Sequence, residues 1–165
     1  MESLKNIELK VFGWEYLQKQ LGVWRFKDKK IVFTNGCFDI LHLGHIEYLA
    51  KARDLGSVLV IGLNSDDSVH RIKGPHRPLN NEHARAMILA SLSFVDAVTI
   101  FEEETPYELI KLVRPDFLVK GKDYKEHEIV GSDFVKSYGG KIVTIDMVKG
   151  YSTSQLIEKA RKLHR

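Results

Sequence analysis

A short apolar run, Ile31-Val32-Phe33, passes directly into Thr34-Asn35-Gly36-Cys37-Phe38-Asp39 and then into Ile40-Leu41-His42-Leu43-Gly44-His45, from which a helical pattern continues. Strand, tight loop and helix in that order open a βαβ unit, which commits a chain to a parallel sheet covered by helices. A second run, Val58 to Leu63, is apolar without alternation, as a strand buried on both faces requires. Further apolar segments at Val95 to Ile100, Phe117 to Val119 and Lys141 to Ile145 predict five strands in all. Helical patterns fall between them, at Glu82 to Leu92, from Thr105-Pro106 onward, and from Ile129 to Ser137. Thr105 suits an N-cap and Pro106 the first helical position. The expectation is a doubly wound parallel sheet whose ligands bind beyond the carboxyl ends of the strands, where strand order reverses. Thr34 to Asp39, Asn64 to Asp66 and Lys120 to Tyr124 all stand at such ends.

His42 and His45 are three residues apart, so both project from one face at the start of a helix. Gly44 between them lacks a Cβ and lets a ligand lie against the backbone. Free N–H groups and the positive end of the helix dipole favour a phosphate at this point. Metal ligation competes for a histidine pair, but zinc needs a third protein ligand, and its usual helical form has a Glu after the first His where this chain has Leu43. No dedicated metal cluster is expected. Cys37 suits a small packed residue better than a nucleophile.

The 165 residues, 44% of them hydrophobic, suffice for the core of one α/β domain. A net charge of +3 arises from 25 basic against 22 acidic residues, which excludes a nucleic-acid binder by composition and suits small anionic substrates. A lone cysteine precludes an internal disulfide. No apolar run approaches the roughly 20 residues of a membrane span, and the first residues lack a signal-peptide core. These features predict a cytoplasmic protein with no membrane or nucleic-acid partner. Leu4 to Leu21 is apolar enough for an accessory helix, so residues 1–29 are taken as an N-terminal helical extension that caps the sheet or serves as a dimer arm, and 30–165 as the main domain. Arg71 to Asn81, with Gly74, two prolines and paired asparagines, predicts a loop. Lys73, Arg77 and Arg85 offer cations to a triphosphate from that side, although Arg77 would serve equally in a solvated loop.

The segment Thr34 to His45 resembles the signature of the cytidylyltransferase-like nucleotidyltransferases, and Gly150-Tyr151-Ser152-Thr153-Ser154-Gln155-Leu156-Ile157 matches their Ser/Thr cluster at the start of a late helix. Within that superfamily the chain from about Lys30 onward is most similar to the adenylyltransferases of ADP-heptose synthesis. The further matching elements are Asn64-Ser65-Asp66, Arg71-Ile72-Lys73-Gly74, Arg77-Pro78, Phe101 to Pro106 and Leu118-Val119-Lys120-Gly121-Lys122-Asp123-Tyr124. The resemblance implies a Rossmann-like, doubly wound, five-stranded parallel sheet with an H-x-G-H nucleotidyltransferase site.

It also implies roles. Thr34, Gly44, Arg85, Gly121 and Asp123 would bind the nucleotide, with the backbone from Asn35 through Gly36, Cys37 and Phe38 and the hydroxyls of Ser152, Thr153 and Ser154 wrapping its phosphates. His42, His45 and Lys73 would act on the phosphates undergoing transfer. Asp39, Asn64 and Lys120 would face the acceptor, with an Asx turn the other reading of Asp39, and Asp123 would meet either a hydroxyl or the base region. The resemblance implies ATP with Mg2+, most of whose oxygen ligands come from ATP and water, a sugar 1-phosphate acceptor, and a homodimer.

Two departures bear on this resemblance. Met147 stands where glycerol-3-phosphate cytidylyltransferases carry an arginine, which weakens the cytidylyl alternative. The heptose enzyme of many Gram-negative bacteria places a sugar kinase ahead of this unit, so the chain resembles a stand-alone form served by a separate heptose kinase. Three functions follow for comparison: adenylyl transfer to a heptose 1-phosphate, cytidylyl transfer to glycerol 3-phosphate or a related polyol phosphate, and a non-catalytic nucleotide-binding regulator.

Overall fold

Five strands, β1 (Ile31–Gly36), β2 (Val58–Asn64), β3 (Ala97–Phe101), β4 (Phe117–Gly121) and β5 (Lys141–Ile145), pair in parallel in the order β3-β2-β1-β4-β5. The computed structural model describes residues 2–122, 125–146, 148 and 150–163. Strand order reverses between β1 and β4, so the crevice at the ends of those two strands is where such a sheet receives ligands.

The two-residue period of the strands divides the core into two layers. Ile31 and Phe33 of β1, Val58 and Val60 of β2 and Leu118 of β4 pack on one face with α2 (Trp14–Phe26), α6 (Tyr107–Val113) and α7 (Ser132–Ser137), through Leu17, Leu21, Leu109, Ile110 and Val135. Val32, Leu59, Ile61, Leu63 and Val119 face α3 (Leu43–Arg53) and α5 (Glu82–Ala90), through Tyr48, Leu49, Ala52, Ala86 and Leu89. Every residue of β2 is buried, in line with its uninterrupted apolar run.

The leading segment forms two helices rather than one, α1 (Glu2–Glu8) and α2, joined by a stretch in which Val11 bridges to Val98 of β3. Leu17 and Leu21 are fully buried. The predicted loop also begins later than expected. Helix α4 (Asp66–Lys73) runs through Arg71, Ile72 and Lys73, capped by the Ser65 side chain, which accepts from Ser68 N, with acidic residues in its first turn and basic ones in its last. Gly74, at φ 93°, ends it. Helix α6 starts one residue later than predicted, with Pro106 at the N-cap position, so Thr105 is free of capping. The final helix, α8 (Thr153–Leu163), is headed by Ser152, whose Oγ accepts from Gln155 N at 3.2 Å.

Candidate active site

A cleft of about 700 Å³ opens across the carboxyl ends of the strands. Its floor is the loop from Asn35 to Asp39, and its walls include His42 and His45 at the head of α3, Asn64 and Lys120 at strand ends, Lys73 at the end of α4, and Ser152, Thr153 and Ser154 at the head of α8. Elements more than a hundred residues apart in the chain meet here, and Thr153 Oγ1 donates to the Ile40 carbonyl at 3.5 Å.

The loop after β1 turns back on itself because Phe38 sits in the left-handed region at φ 43°. A non-glycine residue is held there only when its surroundings over-determine it. The surroundings are visible: the Phe38 ring is buried and meets His45 edge-on, centroids 5.2 Å apart. His42 is the N-cap residue of α3 and its ring stacks on that of His45, centroids 3.8 Å apart. Gly44 makes this approach possible. A Cβ there would lie 3.1 Å from His42 Nδ1 and 3.3 Å from Tyr151 Cβ, so the missing side chain admits both the imidazole and the approach to α8.

Burial drives the His45 pKa down to about 4, reinforced by the neighbouring His42, while the Ile40 carbonyl works the other way. Burial also lowers that of His42. Both rings are therefore uncharged near neutrality and act as N–H donors rather than cations. Burial raises the Cys37 pKa, against the pull of Lys73 and Arg85, which keeps the thiol protonated and unreactive.

Asp39 is 4% exposed and anchors the loop after α4. Its Oδ1 accepts from Leu79 N at 2.7 Å and Asn80 N at 3.1 Å, and its Oδ2 pairs with Arg77 Nε at 2.7 Å. The carboxylate lines the cleft, and its contacts tie the β1 loop to a segment about forty residues away rather than closing a local Asx turn.

Three residues expected at the nucleotide lie behind or beside the cleft instead. Arg85 is 0% exposed. Its guanidinium donates to the carbonyls of Asn80 (3.0 Å), Cys37 (2.7 Å) and Asn64 (2.8 Å) and to Asp66 Oδ1 (2.7 Å), so it braces the walls from within and does not reach the cavity. Thr34 is fully buried on the α3 face, 2.7 Å from the Tyr48 hydroxyl. Gly121 completes the β4 ladder opposite Ile145 and is absent from the cleft lining. Gly44 shapes the wall without lining it. Asp123 lies outside the described residues. Among the described residues no group of three or more His, Cys, Asp or Glu is placed to hold a metal ion, and no helix is long and apolar enough to cross a membrane.

The sequence reading passed over one wall of the cleft. Glu104, Thr105 and Pro106, ahead of α6, and Glu128, Ile129 and Val130, ahead of α7, close its far side. The signal available was position, since Phe101 to Pro106 follows a strand end as the other site segments do.

A parallel sheet whose first strand feeds a turn and a helix headed by two imidazoles, facing the hydroxyl-capped start of α8, defines a nucleotidyltransferase. Residues 33–159 match the model of the family described as cytidylyltransferase-like, and the chain belongs to that family. It is 57% identical over 145 residues to the bifunctional protein HldE of Syntrophotalea carbinolica, covering 88% of this chain and 30% of that protein. The HldE of Nitratiruptor sp. is 59% identical over 135 residues, covering 82% of this chain and 28% of its own. The chain thus spans about 30% of the length of these curated relatives. Among solved structures, the lipopolysaccharide core biosynthesis protein from Thermoplasma volcanium superposes with a TM-score of 0.63 at 32% identity, covering 73% of this chain and 99% of that one. Pantoate-beta-alanine ligase from Francisella tularensis shares the fold alone, at 19% identity and a TM-score of 0.52 over 89% of this chain and 76% of that one.

Proposed function

We propose that the cleft transfers an adenylyl group from ATP to a sugar 1-phosphate, D-glycero-D-manno-heptose 1-phosphate, yielding an ADP-sugar and pyrophosphate. The observation that carries this reading is the stacked imidazole pair of His42 and His45 on one cleft wall, beside the head of α8. Support for the acceptor comes from the names of the relatives: HldE, and a protein of lipopolysaccharide core biosynthesis.

In the reaction an acceptor phosphate oxygen attacks the α-phosphorus of ATP in line, forming one P–O bond as the bond to the pyrophosphate oxygen breaks. The acceptor is already ionised, so no proton has to be removed and no strong base is needed. Protein groups position two polyanions and offset their repulsion. His42 and His45 donate N–H groups to the α-phosphate oxygens. Backbone amides of Asn35 to Phe38 hold the phosphates, while Lys73 and the hydroxyls of Ser152, Thr153 and Ser154 hold the leaving pyrophosphate at the N-terminus of α8. Asn64 and Lys120 meet the acceptor phosphate.

The donor set, two imidazoles, lysine ammoniums and hydroxyls, suits phosphate oxygens, so Mg2+ would be held chiefly by the triphosphate and water. When bound it supplies charge neutralisation between the phosphates. We extend the proposal, on family resemblance alone, to residues 30–165 as the transferase unit with 1–29 as its helical extension, and to a cytoplasmic homodimer supplied with acceptor by a sugar kinase.

Purified protein is incubated with ATP or CTP and a panel of heptose, hexose and polyol phosphates, and pyrophosphate is measured. Release with ATP and the heptose 1-phosphate is expected. Release only with CTP and a polyol phosphate would replace this reading with cytidylyl transfer, and tight ATP binding without release across the panel would replace it with a regulator.

A further inference from the structure

The side chains at the strand ends fall on the two faces of the sheet. On β1, Val32 and Thr34 face the α3 layer, and Ile31 and Phe33 the α6/α7 layer. By the same alternation Asn35 projects to the α6/α7 side. Its Cβ sits opposite Gly62 of β2, only 3.2 Å from where a side chain at 62 would begin, and the same empty position is flanked by Phe33 and by Leu109 of α6 at 2.9 Å. Lys120, two residues beyond Leu118 on β4, follows the same side, and its Nζ lies 3.4 Å from the Asn35 carbonyl. The imidazoles head α3 and belong to the opposite layer.

Asn35 Oδ1 is buried and has no hydrogen-bond partner among the described residues. A buried amide oxygen without a partner carries a desolvation cost that a ligand donor would relieve. Ahead of α6 and α7 the cleft is lined by Glu104, by Thr105, which does not cap α6, and by Glu128. Carboxylates and an amide oxygen accept hydrogen bonds, and they repel a triphosphate while suiting a ligand with several hydroxyl donors.

We infer that the α6/α7 side of the cleft is the polyol subsite, in which Asn35 Oδ1 and the Glu104 carboxylate accept from hydroxyls of the acceptor sugar while Lys120 holds its phosphate toward the imidazole wall. The inference rests on the proposed transfer to a sugar phosphate and assigns the Asn35 side chain a task separate from its backbone amide. An adenine amino group is the other donor that such acceptors would take, and nucleotide affinity distinguishes the two.

Steady-state pyrophosphate release is measured for wild type, Asn35→Ala and Glu104→Gln with ATP and the most active sugar 1-phosphate of the panel. Binding of the non-transferable analogue α,β-methylene-ATP is measured by calorimetry. Both variants should raise the KM for the sugar phosphate about tenfold or more, as loss of a hydrogen bond to a charged or buried acceptor does, with KM for ATP and analogue affinity within twofold of wild type. Glu104 is exposed, so Glu104→Gln keeps the test open should Asn35→Ala unfold. Weakened analogue binding with an unchanged acceptor KM would make this side a base site and overturn the inference, as would wild-type kinetics in both variants. Absence of wild-type pyrophosphate release across the panel would instead overturn the functional reading, and this inference with it.

Discussion

The imidazoles of His42 and His45 lie 3.8 Å apart and 19° from parallel, a stack in which protonating one ring penalises the other. Burial and this neighbour bring the His45 pKa from the ordinary 6.5 to about 4. Between those values the unfolded chain binds a proton that the folded protein refuses, so stability falls as pH drops below 6.5 and the loss is complete below about 4. The full effect is on the order of 3 kcal/mol, at about 1.4 kcal/mol per pKa unit. Denaturant melts at pH 7.5 and pH 5 should show a smaller acid loss in His45→Gln than in wild type. Equal losses would mean that His45 is not buried as described.

The same pair should dominate turnover. Removing one preorganised donor at a developing anion lowers turnover by about a hundredfold to a thousandfold, and His42→Ala and His45→Ala should each show that loss with a retained melting transition. Near-normal turnover in both would remove the pair from the chemistry.

Arg85 should behave as a brace. Its guanidinium is fully buried and makes four hydrogen bonds to residues from three segments of the site. Arg85→Met leaves Asp66 and three carbonyls without their donor, and breaking a buried charged network of this kind costs about 3–5 kcal/mol. Arg85→Lys should recover little, because an ammonium cannot reproduce the planar fork that reaches all four acceptors. Urea unfolding measures both, and a loss under about 1 kcal/mol in Arg85→Met would contradict the network.

What the sequence disclosed and what it withheld have separable causes. Strand positions were legible because β2 is buried on both faces and therefore uniformly apolar, and because Ile31-Val32-Phe33 runs straight into small residues. The cleft was legible through position, since the loops after β1, β2 and β4 had to converge at the reversal of strand order. Arg85 was misplaced because a cation beside a phosphate loop looks the same in sequence whether its guanidinium faces the ligand or three backbone carbonyls behind it. Thr34 lies outside the cleft for a related reason: alternation places it under α3, against Tyr48, two residues before β1 ends. Helix α4 was partly missed because Arg71-Ile72-Lys73 is polar and short, and its stability comes from the Ser65 cap and end charges rather than an apolar stripe.

Gly44 separates stability from catalysis. It lies in the first turn of α3, where alanine is the better helix former by about 1 kcal/mol. The added Cβ would meet His42 Nδ1 at 3.1 Å and Cε1 at 3.2 Å, with Tyr151 Cβ at 3.3 Å on the far side. Those contacts are tight without being prohibitive, so the imidazole and the segment leading to α8 must each give by a few tenths of an ångström. Helix propensity and steric pressure then nearly cancel in the folding free energy, while the geometry of the donor pair does not recover. Gly44→Ala should melt within a few degrees of wild type and lose turnover by about tenfold or more, as small displacements at a reacting centre do. Differential scanning fluorimetry with single-turnover pyrophosphate release tests the separation. Wild-type turnover in the alanine variant would show that the His42 position does not depend on the space at residue 44.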